Sequence, residues 1–205
     1  MIETVSIVGV GLMGGSFGLA LRAAGFSGRI LGVSSPATID KAVACGAIDS
    51  GATFEAAVSA ADVLFLAAPI GIILDTIDRL PGLSKPGALV TDAGSTKRAI
   101  VDRARLQLSD VVFVGGHPMA GKEKTGVGEA EPGLFRGRPW ALCPARPEFL
   151  DSENARAFVG LLHSVGARPL VLDANEHDRT VALTSHLPQL ISTASPMRSR
   201  HCRCW

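Results

Sequence analysis

A histidine held between two glycines and a proline is the side chain of this sequence best suited to acid–base chemistry. His117 follows Gly115 and Gly116 and precedes Pro118, after a short apolar run. Because an imidazole titrates close to neutral pH, it can accept a proton from an alcohol under physiological conditions. An isolated histidine is commonly structural, but one at the carboxyl end of a predicted strand is a candidate general base.

A hydroxyl and an ammonium group follow another apolar run, in the segment 91–97, which reads TDAGSTK. This segment is predicted to be a turn from a strand into a helix, which places Ser95 and Lys97 at a strand end. Ser95 either contacts a ligand there or caps the helix that follows. Lys97 either contacts a ligand or is an ammonium group on the helix surface, and these alternatives stay open.

The first predicted strand leads into three glycines with the spacing G-x-G-x-x-G, namely Gly9, Gly11 and Gly14. In dinucleotide sites the first allows a tight turn, the second lets a pyrophosphate approach the backbone, and the third lets helix and strand pack closely. The amide groups at the start of the next helix favour a phosphate. We therefore predict a dinucleotide site formed by these glycines with Leu12 and Met13.

The residues after the second predicted strand, Ser34 and Ser35, bear on which dinucleotide is bound. A NAD-specific site usually has an acidic residue here that holds the ribose 2′-hydroxyl. Because no carboxylate repels a 2′-phosphate, NADP is expected to be tolerated, but no arginine stands beside the serines to bind that phosphate. The cofactor is therefore predicted to be NAD or NADP. The serines serve equally well as a turn and helix cap before Pro36.

Small residues follow the strand predicted at 63–67. Ala68 and Pro69 either let the cofactor lie against the backbone at this strand end or simply begin the next helix. We include both residues in the predicted cofactor site.

Short apolar runs alternate with helical segments along residues 1–173, as in an α/β domain of the Rossmann type. Runs of Ala, Val, Leu and Ile are typical of buried parallel strands. The predicted strands cover 5–8, 30–33, 63–67, 88–91, 111–114, 139–143 and 168–172, and the predicted helices 13–24, 37–45, 54–60, 70–78, 96–108 and 152–165. We expect a doubly wound, mostly parallel sheet that binds ligands beyond the carboxyl ends of its strands. The glycine-rich segment 121–137 is predicted to be a loop over the active site.

Composition argues against several kinds of partner and site. Lys and Arg total 20 against 19 for Asp and Glu, so neither nucleic acid nor an anionic membrane is expected as a partner. No apolar run approaches the roughly 20 residues that span a bilayer, and no signal peptide is evident, which predicts a cytoplasmic protein. Cys45 and Cys143 are predicted to be buried thiols without a disulfide framework. His201, Cys202 and Cys204 are poorly spaced for zinc, so no metal is predicted.

In their order and spacing, these motifs resemble those of prephenate and arogenate dehydrogenases. The resemblance runs from about Val5 to Ala194. It rests on the glycine fingerprint and on the motifs Asp92-x-x-Ser95-x-Lys97, His117-Pro118-Met119-Ala120-Gly121 and Ser185-His186-Leu187-Pro188. The His-Pro motif followed by the later Ser-His-x-Pro motif makes the resemblance specific.

The resemblance implies oxidative decarboxylation of a cyclohexadienol, prephenate or arogenate, on the way to tyrosine. In the family, the histidine that corresponds to His117 bonds the ring hydroxyl and accepts its proton as hydride leaves for the nicotinamide. Ser95 corresponds to the serine that bridges cofactor, hydroxyl and histidine. Ser185, His186 and Lys97 correspond to positions near the substrate.

A further helix is predicted to begin at residue 174, with the polar residues 176–179 on one side. In the family such a helix opens an all-helical domain that completes the substrate pocket and forms a homodimer. Residues 174–205 are predicted to hold only the start of that domain, because from Ser195 the chain continues as a basic, cysteine-bearing tail. We therefore expect cofactor binding with weak or no turnover, and dimerisation of this chain is left open.

Two other functions stay open at this point. A 3-hydroxyacid dehydrogenase shares the Gly-Leu-Met-Gly opening, but its lysine base follows the nucleotide domain, whereas no lysine occurs here after Lys124. A non-catalytic NAD(P)-binding module requires only the glycine fingerprint. Neither requires His117 together with Ser185 and His186.

Overall fold

The computed structural model describes residues 2–186, of which Ser185 and His186 by their backbone alone. Its strands are β1 (Thr4–Val8), β2 (Arg29–Val33), β3 (Ser50–Gly51), β4 (Val63–Leu66), β5 (Leu89–Asp92), β6 (Val112–Pro118), β7 (Pro139–Pro144) and β8 (Arg168–Val171). Its helices are α1 (Leu12–Ala23), α2 (Pro36–Ala44), α3 (Phe54–Ala60), α4 (Ile70–Arg79), α5 (Arg98–Gln107), α6 (Glu153–Ser164) and α7 (Ala174–Val181). The π-helical turn Ala182–His186 continues α7, and short 3-10 helices occupy Val127–Glu129 and Pro147–Asp151.

The strands form one sheet in the order β3-β2-β1-β4-β5-β6-β7-β8. Neighbouring strands are parallel except β6 and β7, which are antiparallel. The order turns back at β1, because the chain adds β2 on one side of it and β4 on the other. This confirms the predicted doubly wound sheet, and it places a ligand crevice at the carboxyl ends of β1 and β4.

Alternate residues of β4 pack into two cores, one on each face of the sheet. Phe65 belongs to the core that contains Phe17 of α1 and Phe158 of α6, and its ring centroid lies 4.7 Å from that of Phe17. Leu64 belongs to the other core, with Ile73 of α4. Helices therefore cover both faces, which explains the uninterrupted apolar strands in the sequence.

The structure corrects the prediction for the strand that carries His117. β6 does not end at residue 114 but continues to Pro118, because β7 pairs with it in antiparallel register and places Ala141 opposite His117. The histidine therefore lies in a hydrogen-bonded strand rather than in a loop. A strand restrains the direction of its side chain more tightly than a loop does.

Three smaller predictions were also wrong. The two-residue strand β3 was not predicted, and α5 begins at Arg98 rather than at residue 96. Cys45 is exposed, whereas Cys143 is buried as predicted, and burial raises the pKa of its thiol to about 12.

Residues 195–205, predicted to be an atypical tail, lie outside the described residues. Within residues 2–186, no helix is long and apolar enough to cross a membrane.

Candidate active site

The glycine fingerprint forms a tight turn, the glycine cradle, in which Gly9 and Gly14 leave no room for a side chain. Gly9 has a φ of +92°, and a Cβ there would lie 2.4 Å from the carbonyl oxygen of Ala67. A Cβ on Gly14 would lie 2.2 Å from the carbonyl oxygen of Gly9. By contrast, a Cβ on Gly11 would meet no described atom within 4 Å, so the backbone is open to a ligand there. Tight packing on one side and open space on the other fit a pyrophosphate at this turn.

The predicted cofactor residues on three strands meet around this turn. The amide of Gly9 donates to the carbonyl oxygen of Val33 at the end of β2, 2.9 Å away, and its backbone packs against the peptide between Ala67 and Ala68. Leu12 and Met13 begin α1, which no side chain caps. The first amides of α1 are therefore available to an anion.

The turn after β2 contains no carboxylate. Ser34 and Ser35 are both exposed there, and the hydroxyl of Ser35 lies 2.9 Å from that of Thr38. Ser35 occupies the N-cap position of α2, but its side chain does not accept an amide hydrogen bond. Pro69 occupies the corresponding position before α4 and is exposed.

Lys97 is buried and ion-paired, which makes the helix-surface interpretation wrong. Its ammonium binds the carboxylate of Asp92 and donates to the carbonyl oxygen of Gly116, 2.7 Å away. Asp92 in turn accepts the amide hydrogens of Gly94 and Gly116, at 2.8 and 3.1 Å. The ion pair therefore holds both the amide and the carbonyl group of Gly116, the residue that precedes His117. This favours a structural role for Lys97 over the predicted contact with substrate.

His117 makes a hydrogen bond that the sequence did not predict. Its Nδ1 lies 2.9 Å from Nε2 of His177, a fully buried side chain of α7. Nδ1 of His177 lies 2.8 Å from Oδ1 of Asp178. In the sequence these two residues belonged to a polar run on one side of a predicted helix. Their only sequence signal is a His-Asp pair in the first turns of the helix that follows the last strand.

The two hydrogen bonds of the His177 ring assign the neutral tautomers of both histidines. A carboxylate only accepts hydrogen bonds, so His177 donates to Asp178 from Nδ1 and its Nε2 must accept. His117 therefore donates from Nδ1, and the basic lone pair of its neutral ring is on Nε2. This is the protonation state that a general base requires.

Asp178 also caps α5, the role that the sequence offered to Ser95. The amides of Lys97 and Arg98 donate to its two carboxylate oxygens, at 2.7 and 3.0 Å. The pKa of Asp178 lies below its ordinary value: burial acts to raise it, but the hydrogen bonds from His177, Lys97 and Arg98 outweigh this. Ser95 is exposed in the turn before α5, so its capping interpretation is wrong, and its contact with His117 stays a prediction.

Asp178→Asn is expected to lower the free energy of unfolding near neutral pH by about 1–2 kcal/mol, because a charged cap is lost. A depressed carboxyl pKa stabilises the fold above the unfolded value of 3.8, and this stabilisation disappears as the pH falls through the folded pKa. The difference between variant and parent should therefore shrink below about pH 4. Urea unfolding at several pH values measures it, with the exposed Asp75→Asn as control. A difference that stays constant down to pH 3 contradicts the assignment.

His117 borders a cavity of about 780 Å³. Met119 and Lys122 line it from the segment after β6, and Thr184 lines it from the π-helical turn. Ser185 and His186 follow Thr184 directly, but their side chains lie outside the described residues. Their predicted contact with substrate therefore stays a prediction.

The loop between β6 and β7 links this cavity to the nucleotide cradle. A Cβ on Gly15 of α1 would lie 3.0 Å from the side chain of Val127 in the loop, so this side chain packs closely against the helix backbone. The amide of Glu131 donates to the buried hydroxyl of Ser16, 3.0 Å away. The carboxylate of Glu131 pairs with the ammonium of Lys122 at 2.7 Å. The loop is thus seated on the helix that begins at the glycines.

Comparison with known proteins gives consistent matches. Residues 17–171 match the family model described as prephenate dehydrogenase, nucleotide-binding domain. The chain is 34% identical over 195 residues to the prephenate dehydrogenase of Lactococcus lactis subsp. cremoris, covering 94% of this chain and 52% of that protein. The chain spans about half the length of the curated relatives it matches.

Two solved structures share both fold and sequence with this chain. Prephenate dehydrogenase from Aquifex aeolicus, in complex with hydroxyphenyl propionate and NAD+, aligns with a TM-score of 0.85 at 34% identity, over 95% of this chain and 68% of that one. Arogenate dehydrogenase from Synechocystis aligns with a TM-score of 0.83 at 34% identity, over 93% and 67%. The residues that match the family model, 17–171, contain every strand of the sheet except β1. The chain therefore belongs to the prephenate dehydrogenase family.

Proposed function

We propose that this chain supplies the nucleotide site and the proton acceptor for oxidative decarboxylation of prephenate or arogenate. The observation that carries the proposal is the chain of hydrogen bonds from His117 through His177 to Asp178 beside an open cavity. The names of the relatives support the substrate class. The Aquifex aeolicus complex supports a ligand with a phenol ring beside NAD+.

Gly9, Gly11 and Gly14 would hold the pyrophosphate of NAD or NADP, and Ser34 and Ser35 would contact its adenosine ribose. When bound, the cofactor would supply the acceptor for the hydride that leaves the ring carbon carrying the hydroxyl. Because Ser34 and Ser35 bring no negative charge, we expect the 2′-phosphate of NADP to be tolerated.

His117 accepts the hydroxyl proton on Nε2 while the ring carbon loses hydride. His177 then accepts a stronger hydrogen bond from Nδ1 of the cationic ring, and Asp178 stabilises the positive charge. The carbon–carbon bond to the ring carboxylate breaks, and its electron pair enters the ring as carbon dioxide leaves. The ring becomes aromatic, and His117 returns the proton to the phenolate oxygen, so that no net proton is released.

The proposal is tested by incubating the purified chain with prephenate or arogenate and either NAD+ or NADP+. Protein in excess of cofactor makes even slow turnover visible. We expect reduced nicotinamide and a phenol product in equal amounts with at least one substrate. If cofactor binds but is not reduced in any of the four mixtures, the proposal is contradicted, and the chain is then a non-catalytic NAD(P)-binding module.

A further inference from the structure

We propose that Lys97 positions the proton acceptor, because it joins the strand that carries His117 to the carboxylate that holds His177. Its side chain reaches β6, and its own main-chain amide binds Asp178 on α7. The inference rests on the proposed function for its effect on rate. Its effect on the geometry of the imidazole is independent of turnover.

The side chain of Lys97 holds the residues just before His117. Its ammonium is fully buried and donates to the carbonyl oxygen of Gly116, 2.7 Å away. Asp92, which pairs with this ammonium, accepts the amide hydrogen of Gly116 on Oδ1 at 3.1 Å. A Cβ on Gly115 would lie 3.4 Å from Cδ of Lys97, so the lysine stem lies against the strand. These contacts fix the backbone from which the imidazole of His117 extends.

The main chain of Lys97 holds the other end of the histidine pair. Its amide donates to Oδ1 of Asp178 at 2.7 Å, and the same oxygen accepts the hydrogen of Nδ1 of His177 at 2.8 Å. Oδ2 accepts the amide hydrogen of Arg98 at 3.0 Å. Because both carboxylate oxygens bind donors at the start of α5, the carboxylate is held in one orientation. That orientation sets the direction of the His177 ring.

These contacts close into a circuit. Starting from Gly116, it runs through Lys97, Asp178, His177 and His117, with hydrogen bonds of 2.7, 2.7, 2.8 and 2.9 Å. His117 follows Gly116 in the chain, so every link is either covalent or a hydrogen bond. A satisfied network of this kind restrains its members more firmly than separate pairs do. The imidazole of His117 is therefore held in one orientation beside the cavity.

A purely stabilising role would not require a lysine at this position. Burying an ion pair costs desolvation that the attraction often only balances, so apolar side chains of similar volume commonly stabilise a fold as well. Apolar side chains, however, supply no donor to the carbonyl oxygen of Gly116. Because Asp92 neutralises the ammonium, Lys97 brings this donor without a net charge that would oppose protonation of His117.

NMR of the chain with isotopically labelled histidine nitrogens tests the inference at about pH 8, where free imidazoles are neutral. In the unsubstituted chain we expect a scalar coupling across the N–H···N hydrogen bond between Nδ1 of His117 and Nε2 of His177. The double variant Lys97→Met with Asp92→Asn removes the donor to Gly116 without leaving an unpaired charge. We expect this variant to lose the coupling.

The matched control is Lys85→Met, which removes an ammonium from the more exposed ion pair with Asp62 and should keep the coupling. With substrate and cofactor, the double variant should reduce nicotinamide about 10²-fold more slowly than the unsubstituted chain, as expected for a misplaced proton acceptor. The control should keep the parental rate. NAD+ affinity should be unchanged in both variants, because neither alters the glycine cradle.

Several results would overturn the inference. A coupling that persists unchanged in the double variant does so whatever the rate, as does a coupling absent from the unsubstituted chain. A double variant that loses the coupling but keeps the parental rate also contradicts it. A double variant that does not fold contradicts it as well, because Lys97 is then needed for the fold itself. If the unsubstituted chain binds cofactor but reduces none, the proposed function fails, and the coupling alone still decides the role of Lys97.

Discussion

His117→Asn is expected to reduce the rate of nicotinamide reduction by about 10²–10⁴-fold, the usual contribution of a positioned proton acceptor. The asparagine amide can still donate a hydrogen bond to Nε2 of His177, so the buried partner keeps its hydrogen bond. What the variant lacks is a basic nitrogen directed at the substrate hydroxyl. The dissociation constant for NAD+ should stay close to that of the parent chain, because the glycine cradle is unchanged.

The matched control for this variant is His163→Asn, which replaces an exposed histidine on α6. Its rate and cofactor affinity should equal those of the parent. A His117→Asn variant that loses cofactor affinity in proportion to its rate would show that the histidine is structural. A variant that retains the parental rate would remove His117 from the chemistry altogether.

Lys97→Met is expected to lower the free energy of unfolding by about 3–5 kcal/mol, because it leaves the buried carboxylate of Asp92 without its counter-ion. Methionine has a similar length and apolar stem, so that the lost charge rather than a cavity dominates the effect. The carbonyl oxygen of Gly116 also loses a donor. Urea unfolding of the variant and parent measures the difference.

A double variant separates charge from packing at this site. Adding Asp92→Asn to Lys97→Met removes the unpaired charge, and it should restore part of the lost stability. Lys85→Met, which removes an ammonium from the more exposed ion pair with Asp62, is the control and should cost about 1 kcal/mol or less. A Lys97→Met variant no less stable than this control would contradict the buried ion pair.

The parts of the site that depend on local sequence could be predicted. The cradle at Gly9, Gly11 and Gly14 follows from turn geometry within a few residues of the chain, and the strands follow from short apolar runs. Alternate side chains of β4 enter two different cores because helices cover both faces of the sheet, which the order of strands and helices in the sequence already indicates. These features give the fold class and the nucleotide site directly.

The parts that depend on distant contacts could not be predicted. His177 belongs to a polar run, and only the packing of α7 against the sheet buries it behind His117. Asp178 caps a helix whose first residue, Arg98, lies 80 positions earlier in the chain. The extension of β6 to His117 requires its antiparallel partner β7. In each case the residue or strand that determines the contact is remote in sequence, and no hydrophobic periodicity marks the pairing.

The most direct test of the central claim is a crystal structure of this chain with NAD+ and a phenol product analogue. The account predicts that Nε2 of His117 lies about 2.6–3.2 Å from the phenol oxygen, with Nδ1 still bonded to His177. A phenol bound with its oxygen away from His117, or an imidazole turned so that Nε2 faces the interior, would contradict it.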